Sequence, residues 1–274
     1  MTQLAAVALL PSQSPAGPIH RSIVAIDLEA STMRTNPVKG ELRRTMYDLL
    51  GRSLEAAAIT GNHLETWTDR GDGVLLLIRP HDDVPKTVLL DRLIPKLTTL
   101  LIEYNAGVTR PALQMRLRAV VHAGEIHGDD RGFYGEAIDL AIRLLDSARV
   151  KQALQQTTSP LVLVVSEEIY SGIVSHGYLD GGTYRPVVRV RVANKLHRGW
   201  LHIPGPDDPV RGPAQSVWDT KQAADTGPER LTAAVDRDPD EDRPLISFKE
   251  IASRLRPQPR HTERNDRQQQ HQGK

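Results

Sequence analysis

Two short apolar runs in this chain each border on an aspartate. Asp27 closes the run at 22–26, and Asp72 stands in a glycine-rich turn just before the run at 74–78. Short apolar runs flanked by turn signals are typical of buried strands. A carboxylate at a strand tip and another in a hairpin turn can meet at one hard cation, because Mg²⁺ and Mn²⁺ take oxygen ligands. The alternative is that both aspartates are ordinary turn and capping residues.

Composition excludes several classes of protein. The 274 residues suffice for one large domain with tails or for two small domains. A formal net charge of +1 favours neither nucleic acid nor an anionic membrane as partner. The absence of cysteine excludes disulfides, thiolate nucleophiles and thiolate metal sites. Residues 1–10 lack a basic start and are too short to cross a membrane, so we expect a cytoplasmic protein.

The chain is predicted to have three regions. Residues 1–19 contain several prolines and are expected to be a flexible N-terminal segment. Residues 20–204 carry the regular apolar patterns of a globular domain. Residues 205–274 are rich in Pro, Asp, Arg and Gln, which predicts a disordered tail. Within that tail, 245–255 can form a short amphipathic helix, whose role would be a weak self-contact, a contact with a protein partner, or a dedicated docking motif.

Apolar periodicity predicts an α+β domain over residues 20–204. The order strand, helix, hairpin, helix, strand at its start is the ferredoxin-like βαββαβ arrangement. Pro95 is expected to kink or interrupt the second helix. The predicted strands are 21–27, 63–67, 73–78, 113–127, 161–165, 184–192 and 199–203. The predicted helices are 41–60, 83–104, 134–155 in one or two pieces, and 166–171.

Three motifs together resemble the catalytic domain of class III nucleotidyl cyclases. They are Asp-Leu-Glu-Ala-Ser-Thr at 27–32, Arg-Gly-Asp-Gly at 70–73, and the helical stretch 134–144. The resemblance covers roughly 20–204 and implies extra C-terminal strands beyond the ferredoxin-like core. It is closest to small actinobacterial cyclase-like proteins, which share the hairpin motif and a strand like His-Ala-Gly-Glu at 122–125.

The resemblance implies a role for individual residues. Asp27 and Asp72 would bind two Mg²⁺ or Mn²⁺ ions, with the Leu28 carbonyl as a further ligand. The ions would let the ribose 3′-hydroxyl attack the α-phosphorus of a nucleoside triphosphate. Arg143 would stabilise charge on the α-phosphate. Backbone N–H groups would hold the β- and γ-phosphates, and they belong to Glu29, Ala30, Ser31 and Thr32.

Three positions depart from the family pattern. Asp139 replaces the asparagine that orients the ribose, and it stands four residues before Arg143, so the two can simply pair along one helical face. Thr68 falls at the lysine that reads adenine, and Gly132 falls at its acidic partner. The base pocket is therefore altered or lost, and a pyrimidine triphosphate is conceivable.

The resemblance further implies a head-to-tail homodimer, because the family builds its site from two protomers and this chain carries both halves. The product would be a 3′,5′-cyclic nucleotide. The rival hypothesis is a catalytically inactive cyclase fold that senses nucleotides or binds proteins, and it is favoured by Thr68, Gly132 and Asp139. An RNA-binding domain is disfavoured, because aromatic residues make up only 4% of the chain.

For several other polar and aromatic residues, the sequence gives weaker indications of a functional role. An odd separation places His122 and His127 on opposite faces of an unbroken strand, which disfavours a shared metal. Trp67 and Trp200 are expected to pack on the sheet or in an interface. A stripe of arginines on one strand face can meet phosphates or a partner, with a solvated face as the default; it comprises Arg185, Arg189 and Arg191.

Overall fold

The computed structural model describes residues 17–179 and 183–205. The predicted tail beyond 205, its helix at 245–255 and most of the N-terminal segment lie outside these residues, so the three-region division remains a prediction. The described strands are β1 (Ile19–Leu28), β2 (Leu64–Asp69), β3 (Gly73–Ile78), β4 (Leu117–Asp129), β5 (Gly132–Tyr134), β6 (Leu161–Ser166), β7 (Arg185–Val192) and β8 (Lys195–His202). The described α-helices are α1 (Asn36–Ala56), α2 (Ile94–Gly107), α3 (Glu136–Asp146), α4 (Ala148–Gln156) and α5 (Glu167–Gly172).

The strands form one sheet in the order β2-β3-β1-β4-β6-β8-β7, with β5 paired to β4 beside this path. The first four strands and the two helices between them have the βαββαβ connectivity and the strand order of a ferredoxin-like core, which confirms the predicted fold class. The later strands extend the sheet from β4. Of the strands that the structure describes, only β4 and β6 pair in parallel, and α3 and α4 make the crossover between them.

The sheet is covered on both faces. Successive residues of β1 point to opposite sides, so Val24 and Ile26 join the core under α1 and α2, whereas Ile23 and Ala25 join the core under α3 and α4. A strand buried on both faces reads as a continuous apolar run without alternation. This burial explains why the runs at 22–26 and 74–78 lack polar residues facing solvent.

The first helix is longer at its start than predicted. It begins at Asn36 rather than at 41, and Pro37 occupies its first turn. Proline is well tolerated there because the first helical N–H groups have no partner within the helix. The predicted apolar face is confirmed, with Leu42, Met46 and Leu49 buried.

The second helix is shorter at its start than predicted. Residues 83–86 lie outside the helix, Thr87 and Val88 are helical, a wide π-type turn spans Leu89–Leu93, and α2 begins at Ile94. Pro95 stands in the first turn of α2, where its missing N–H and its ring disturb the preceding turn. The predicted interruption at Pro95 is therefore confirmed.

Two further boundaries differ in detail. A 3-10 turn at Pro111–Leu113 delays the fourth strand to Leu117. The predicted helical stretch 134–155 forms two helices, α3 and α4, which meet at Ser147, whereas Tyr134 belongs to β5 and α3 begins at Glu136. The Ser147 side chain accepts a hydrogen bond from the Val150 N–H at 3.4 Å and so caps the start of α4.

Candidate active site at the Asp27–Asp72 edge

The turn that carries Asp72 is held by side chains around it. Arg43 of α1 donates to the Gly71 carbonyl at 2.6 Å and forms an ion pair with Asp69. The Gly71 N–H donates to Asp69 Oδ1 at 2.7 Å. The hydrogen bonds from Arg43 hold the pKa of the Asp69 carboxyl below its usual value. This network fixes the β2–β3 turn and with it the direction of Asp72.

Strand pairing places Asp27 beside this turn. Asp27 is in register with Gly73 on β3, and the Leu28 N–H donates to the Asp72 carbonyl at 3.0 Å. A Cβ atom at Gly73 would stand 2.4 Å from the Ile26 carbonyl oxygen and 3.3 Å from Asp27 Oδ1. The close approach of the two strands at Asp27 therefore requires glycine at this position.

On its other side, Asp27 meets an arginine. Asp27 is in register with Arg118 of β4, and the Arg118 guanidinium donates to Asp27 Oδ2. The two side chains are only 11% and 14% exposed. The other terminal nitrogen of Arg118 lies 3.7 Å from Asp146 Oδ1 at the end of α3. The Arg118 guanidinium therefore lies next to two carboxylates, one from β1 and one from α3.

The surroundings of the Asp27 carboxyl group strongly change its pKa. Burial raises its pKa to about 6, although Arg118 opposes the rise. The negative charges of Asp72 and Asp146 raise the pKa of Asp27 further, because like charges nearby disfavour its ionised form. A second cation next to Asp27 and Asp72 would therefore stabilise the ionised forms of both carboxylates. Their oxygens are hard donors, a set that fits Mg²⁺ or Mn²⁺ better than a softer metal.

The loop after β1 contributes a hydroxyl and an unusual backbone. The buried Ser31 hydroxyl donates to Asp72 Oδ2 at 2.7 Å. Ala30 has a left-handed backbone with φ +53°, and a 3-10 turn at Ser31–Met33 follows it. The Glu29 N–H donates to the Arg116 carbonyl at 2.9 Å, and the Glu29 carboxylate lies 3.6 Å from Arg116 Nε. Glu29 is thus tied to β4, while Ser31 faces Asp72.

Asp139 and Arg143 lie together on α3, both partly buried and one helical turn apart. Burial raises the pKa of Asp139, Glu136 adds to the rise, and Arg143 opposes it. Asp146, which approaches Arg118, stands seven residues after Asp139, a separation of about 10 Å along a helix axis. Within a single chain, Asp27 and Asp72 therefore lie near the C-terminal end of α3, whereas Asp139 lies toward the start of this helix.

The two positions expected to read the base lie on different strands. The Thr68 hydroxyl on β2 is 3.1 Å from the Thr66 hydroxyl, so it already has a neighbour to bond. Gly132 begins β5 with φ +136°, and a Cβ there would meet no atom within 4 Å. Gly132 thus leaves open space in a backbone conformation that suits glycine.

Sequence reasoning missed the parts played by Arg118 and Asp146. Arg118 stands between the apolar residues Leu117 and Ala119 in a strand that is buried. An arginine in such a strand is rarely buried without a carboxylate partner, so the pattern did contain a signal. Asp146 carried none, because its contact depends on how α3 packs against β4.

The histidines of β4 do not share an environment. His122 is buried, with Nδ1 2.7 Å from the Ser166 hydroxyl and 3.4 Å from Glu168 Oε2. His127 is exposed and stacks on Tyr134 with ring centroids 5.4 Å apart.

Both tryptophans contact aromatic side chains, and the arginine stripe on β7 faces solvent. Trp67 stacks on Tyr47 and Trp200 stacks on Tyr170, which confirms their packing roles. The arginines of the β7 stripe are exposed; they are Arg185, Arg189 and Arg191. Among the described residues, no helix is both long enough and apolar enough to cross a membrane.

Comparison with known proteins finds similarity only at the level of structure. No protein-family model matches the chain, and no curated protein matches it. The crystal structure of the guanylyl cyclase Cya2 is similar with a TM-score of 0.50 and 16% identity, over 72% of this chain and 98% of that one.

Two further solved structures are similar with lower TM-scores. An adenylate/guanylate cyclase/hydrolase from Silicibacter pomeroyi has a TM-score of 0.49 and 15% identity, over 69% of this chain and 99% of that one. The adenylyl cyclase CyaB from P. aeruginosa has a TM-score of 0.48 and 14% identity, over 70% and 98%. The similarity to Cya2, together with the strand order, shows that the described residues have the α+β fold of a class III nucleotidyl cyclase domain.

Proposed function

We propose that residues 20–204 form a cytoplasmic nucleotidyl cyclase-like domain that binds a nucleoside triphosphate with Mg²⁺ or Mn²⁺ and converts it to a 3′,5′-cyclic nucleotide. The proposal rests on the position of Asp27 and Asp72 at the ends of neighbouring strands, where the charge of Asp72 acts on Asp27. When bound, the metal ions neutralise the triphosphate and acidify the ribose 3′-hydroxyl. We also propose that the chain is related to small actinobacterial cyclase-like proteins, whose hairpin motif it resembles.

The loop after β1 would receive the phosphates. A left-handed residue followed by a tight turn aims successive N–H groups into one concavity, which suits an anion. Ala30 and the turn Ser31–Met33 have this form. The Glu29 N–H is already bonded to Arg116, so the N–H groups of Ala30, Ser31 and Thr32 are the ones left for phosphate. The Leu28 carbonyl would be a further metal ligand.

The second half of the site would come from another copy in a head-to-tail homodimer. Arg143 of that copy would stabilise charge on the α-phosphate, and Asp139 would accept a hydrogen bond from the ribose. Both side chains are partly buried on α3, which would limit their freedom before the substrate arrives. Thr68 would offer one hydroxyl and Gly132 open space where the family has its base-reading lysine and acidic residue, and we propose a pyrimidine triphosphate as the substrate of this altered pocket.

Calorimetry with the four ribonucleoside triphosphates and Mn²⁺ tests the binding step. We expect binding of at least one triphosphate by the wild-type chain and its loss in Asp27→Asn and Asp72→Asn. Asp48→Asn changes an exposed aspartate on α1 and should bind as the wild type does. No binding of any triphosphate by the wild-type chain would refute the proposal.

The second candidate function is a catalytically inactive module that senses nucleotides or binds proteins. The ion pair of Arg118 with Asp27 favours it, because this pair already compensates one of the two carboxylates. Mass spectrometry of reaction mixtures separates the two functions. A cyclic nucleotide that disappears in Asp72→Asn would exclude the inactive module, whereas triphosphate binding without any product would support it.

A further inference from the structure

A second group of ligand-type side chains lies at the other end of the β2–β3 hairpin. His63 stands just before β2, and His81 and Asp83 follow β3. One donor atom from each of the three lies within 4.8 Å of the other two. The length of β3 places this group, which we call the His-His-Asp cluster, about 20 Å from the turn that carries Asp72. The two ends of the hairpin are therefore separate sites.

Backbone hydrogen bonds hold the two segments of the cluster in place. The Arg79 N–H donates to the His63 carbonyl at 2.7 Å and so ties the segments to each other. The Val84 N–H donates to the His81 carbonyl at 3.0 Å, and the Val84 side chain is only 6% exposed. Because Val84 is anchored in the core, the loop with His81 and Asp83 has little freedom to lose when a ligand binds.

The distances within the cluster suit a small divalent ion. His81 Nδ1 lies 3.4 Å from Asp83 Oδ2. Two ligands that are each about 2.1 Å from a tetrahedral ion stand about 3.4 Å apart. The rings of His63 and His81 lie edge to face with centroids 5.0 Å apart, so both imidazoles border the same space.

Backbone N–H groups lie beside one ring nitrogen of each histidine. The Asp83 N–H lies 3.2 Å from His81 Nδ1, and the Thr60 N–H lies 3.1 Å from His63 Nδ1. An ion that binds at Nδ1 would take the lone pair that faces this N–H group. Ion binding at either Nδ1 therefore replaces a hydrogen bond of the ion-free site.

We propose that the His-His-Asp cluster binds one transition-metal ion, with Zn²⁺ as the expected ion and water completing the coordination. Two imidazoles and one carboxylate match the ligand preference of Zn²⁺ and related ions and do not match that of Mg²⁺. Arg79, a cation next to the cluster in sequence, is paired with Glu65 at 2.6 Å, which reduces its repulsion of a metal. The bound ion joins the start of β2 to the loop that leads into α2.

Titration of the full-length chain tests the site directly. The protein carries no histidine tag, is stripped of metal with a chelator, and is titrated with Zn²⁺ by calorimetry and with Co²⁺ by absorption spectroscopy. We expect one ion per chain at this cluster and a tetrahedral Co²⁺ spectrum. His81→Ala and Asp83→Asn should each weaken binding by more than about tenfold, since even outer-shell changes at metal sites cost about that much.

Two controls locate the ion. His176→Ala removes another exposed histidine, which lies on the 3-10 turn Val174–His176, and should leave Zn²⁺ affinity unchanged. Asp27→Asn should also leave it unchanged, because that residue belongs to the other end of the hairpin. Equal Zn²⁺ affinity in His81→Ala and His176→Ala would overturn the proposal, as would loss of the ion in Asp27→Asn alone. Circular dichroism of each variant confirms that a change in affinity is not a loss of folding.

Discussion

The two ends of the β2–β3 hairpin carry donor sets of opposite character. At the turn, Asp72 and its neighbour Asp27 offer only oxygens, and both carboxylates are already bonded, to Ser31 and to Arg118. At the open end, the His-His-Asp cluster offers two imidazole nitrogens and one carboxylate oxygen, and two of its three residues are exposed to solvent. The difference shows that one short hairpin can separate two kinds of ion chemistry. The buried end needs an internal counter-charge to fold without a ligand, and the exposed end does not.

The largest expected effect comes from removing that counter-charge. Arg118→Met leaves Asp27 buried beside two other carboxylates and should lower the free energy of unfolding by about 3 kcal/mol. Urea denaturation in the presence of a chelator measures the loss. Mn²⁺ should restore part of it, because a divalent ion can replace the guanidinium as counter-charge.

Arg198→Met is the matched control, because Arg198 is an exposed arginine on β8. It should change stability by less than about 0.5 kcal/mol. Similar losses for Arg118→Met and Arg198→Met would show that the buried end does not depend on its arginine.

A smaller loss is expected when the contact between β1 and β3 is widened. Gly73→Ala places a Cβ 2.4 Å from the Ile26 carbonyl oxygen, a backbone atom that cannot move alone. We expect the free energy of unfolding to fall by about 2 kcal/mol. Gly61→Ala adds the same methyl group where nothing lies within 4 Å, and denaturation midpoints of the two variants should clearly differ.

The independence of the two ends can be tested by crossing variants with ions. Asp72→Asn should abolish triphosphate binding with Mn²⁺ and leave Zn²⁺ binding intact, and His81→Ala should do the reverse. A tenfold loss corresponds to about 1.4 kcal/mol of binding free energy, which calorimetry resolves. If either variant weakened both ions equally, the two ends would not be separate sites.

The smallest effect is expected at a polar pair that belongs to neither end. The hydrogen bond from His122 lowers the pKa of Glu168 to about 2. A carboxyl whose pKa is lowered by folding stabilises the protein above its unfolded pKa of about 4.5, and this contribution is lost as the pH falls toward 2. Because Glu168 is half exposed, the contribution should be at most about 1 kcal/mol.

The pH dependence of Glu168→Gln tests this pair. The variant should be less stable than the wild type near pH 6, and the difference should shrink steadily between pH 4.5 and pH 2. Urea denaturation at several pH values measures the difference. A constant difference across this range would mean that the charge on Glu168 contributes nothing.

Much of the fold could be predicted from local patterns in the sequence. The errors in the predicted boundaries also have local causes. The apolar runs at 22–26 and 74–78 correctly predicted buried strands, because a strand that is covered on both faces has apolar residues at successive positions. Helix boundaries were predicted less well. The prediction places Pro37 before the first helix although it lies in the first turn of α1, and it starts the second helix at 83 although α2 begins at Ile94. Proline marks both helix starts and helix breaks, so its position alone does not separate the two.

For the candidate site, the sequence by itself determined that Asp27 ends a buried strand and that Asp72 stands in a tight turn before another. Both properties follow from the residues next to them in the chain. Only the tertiary structure decided that Arg118 compensates Asp27, that Ser31 bonds Asp72, and that two histidines meet at the far end of the hairpin. The physical reason is that these contacts join residues from different elements, and their partners are set by strand register and helix packing, which depend on the whole core.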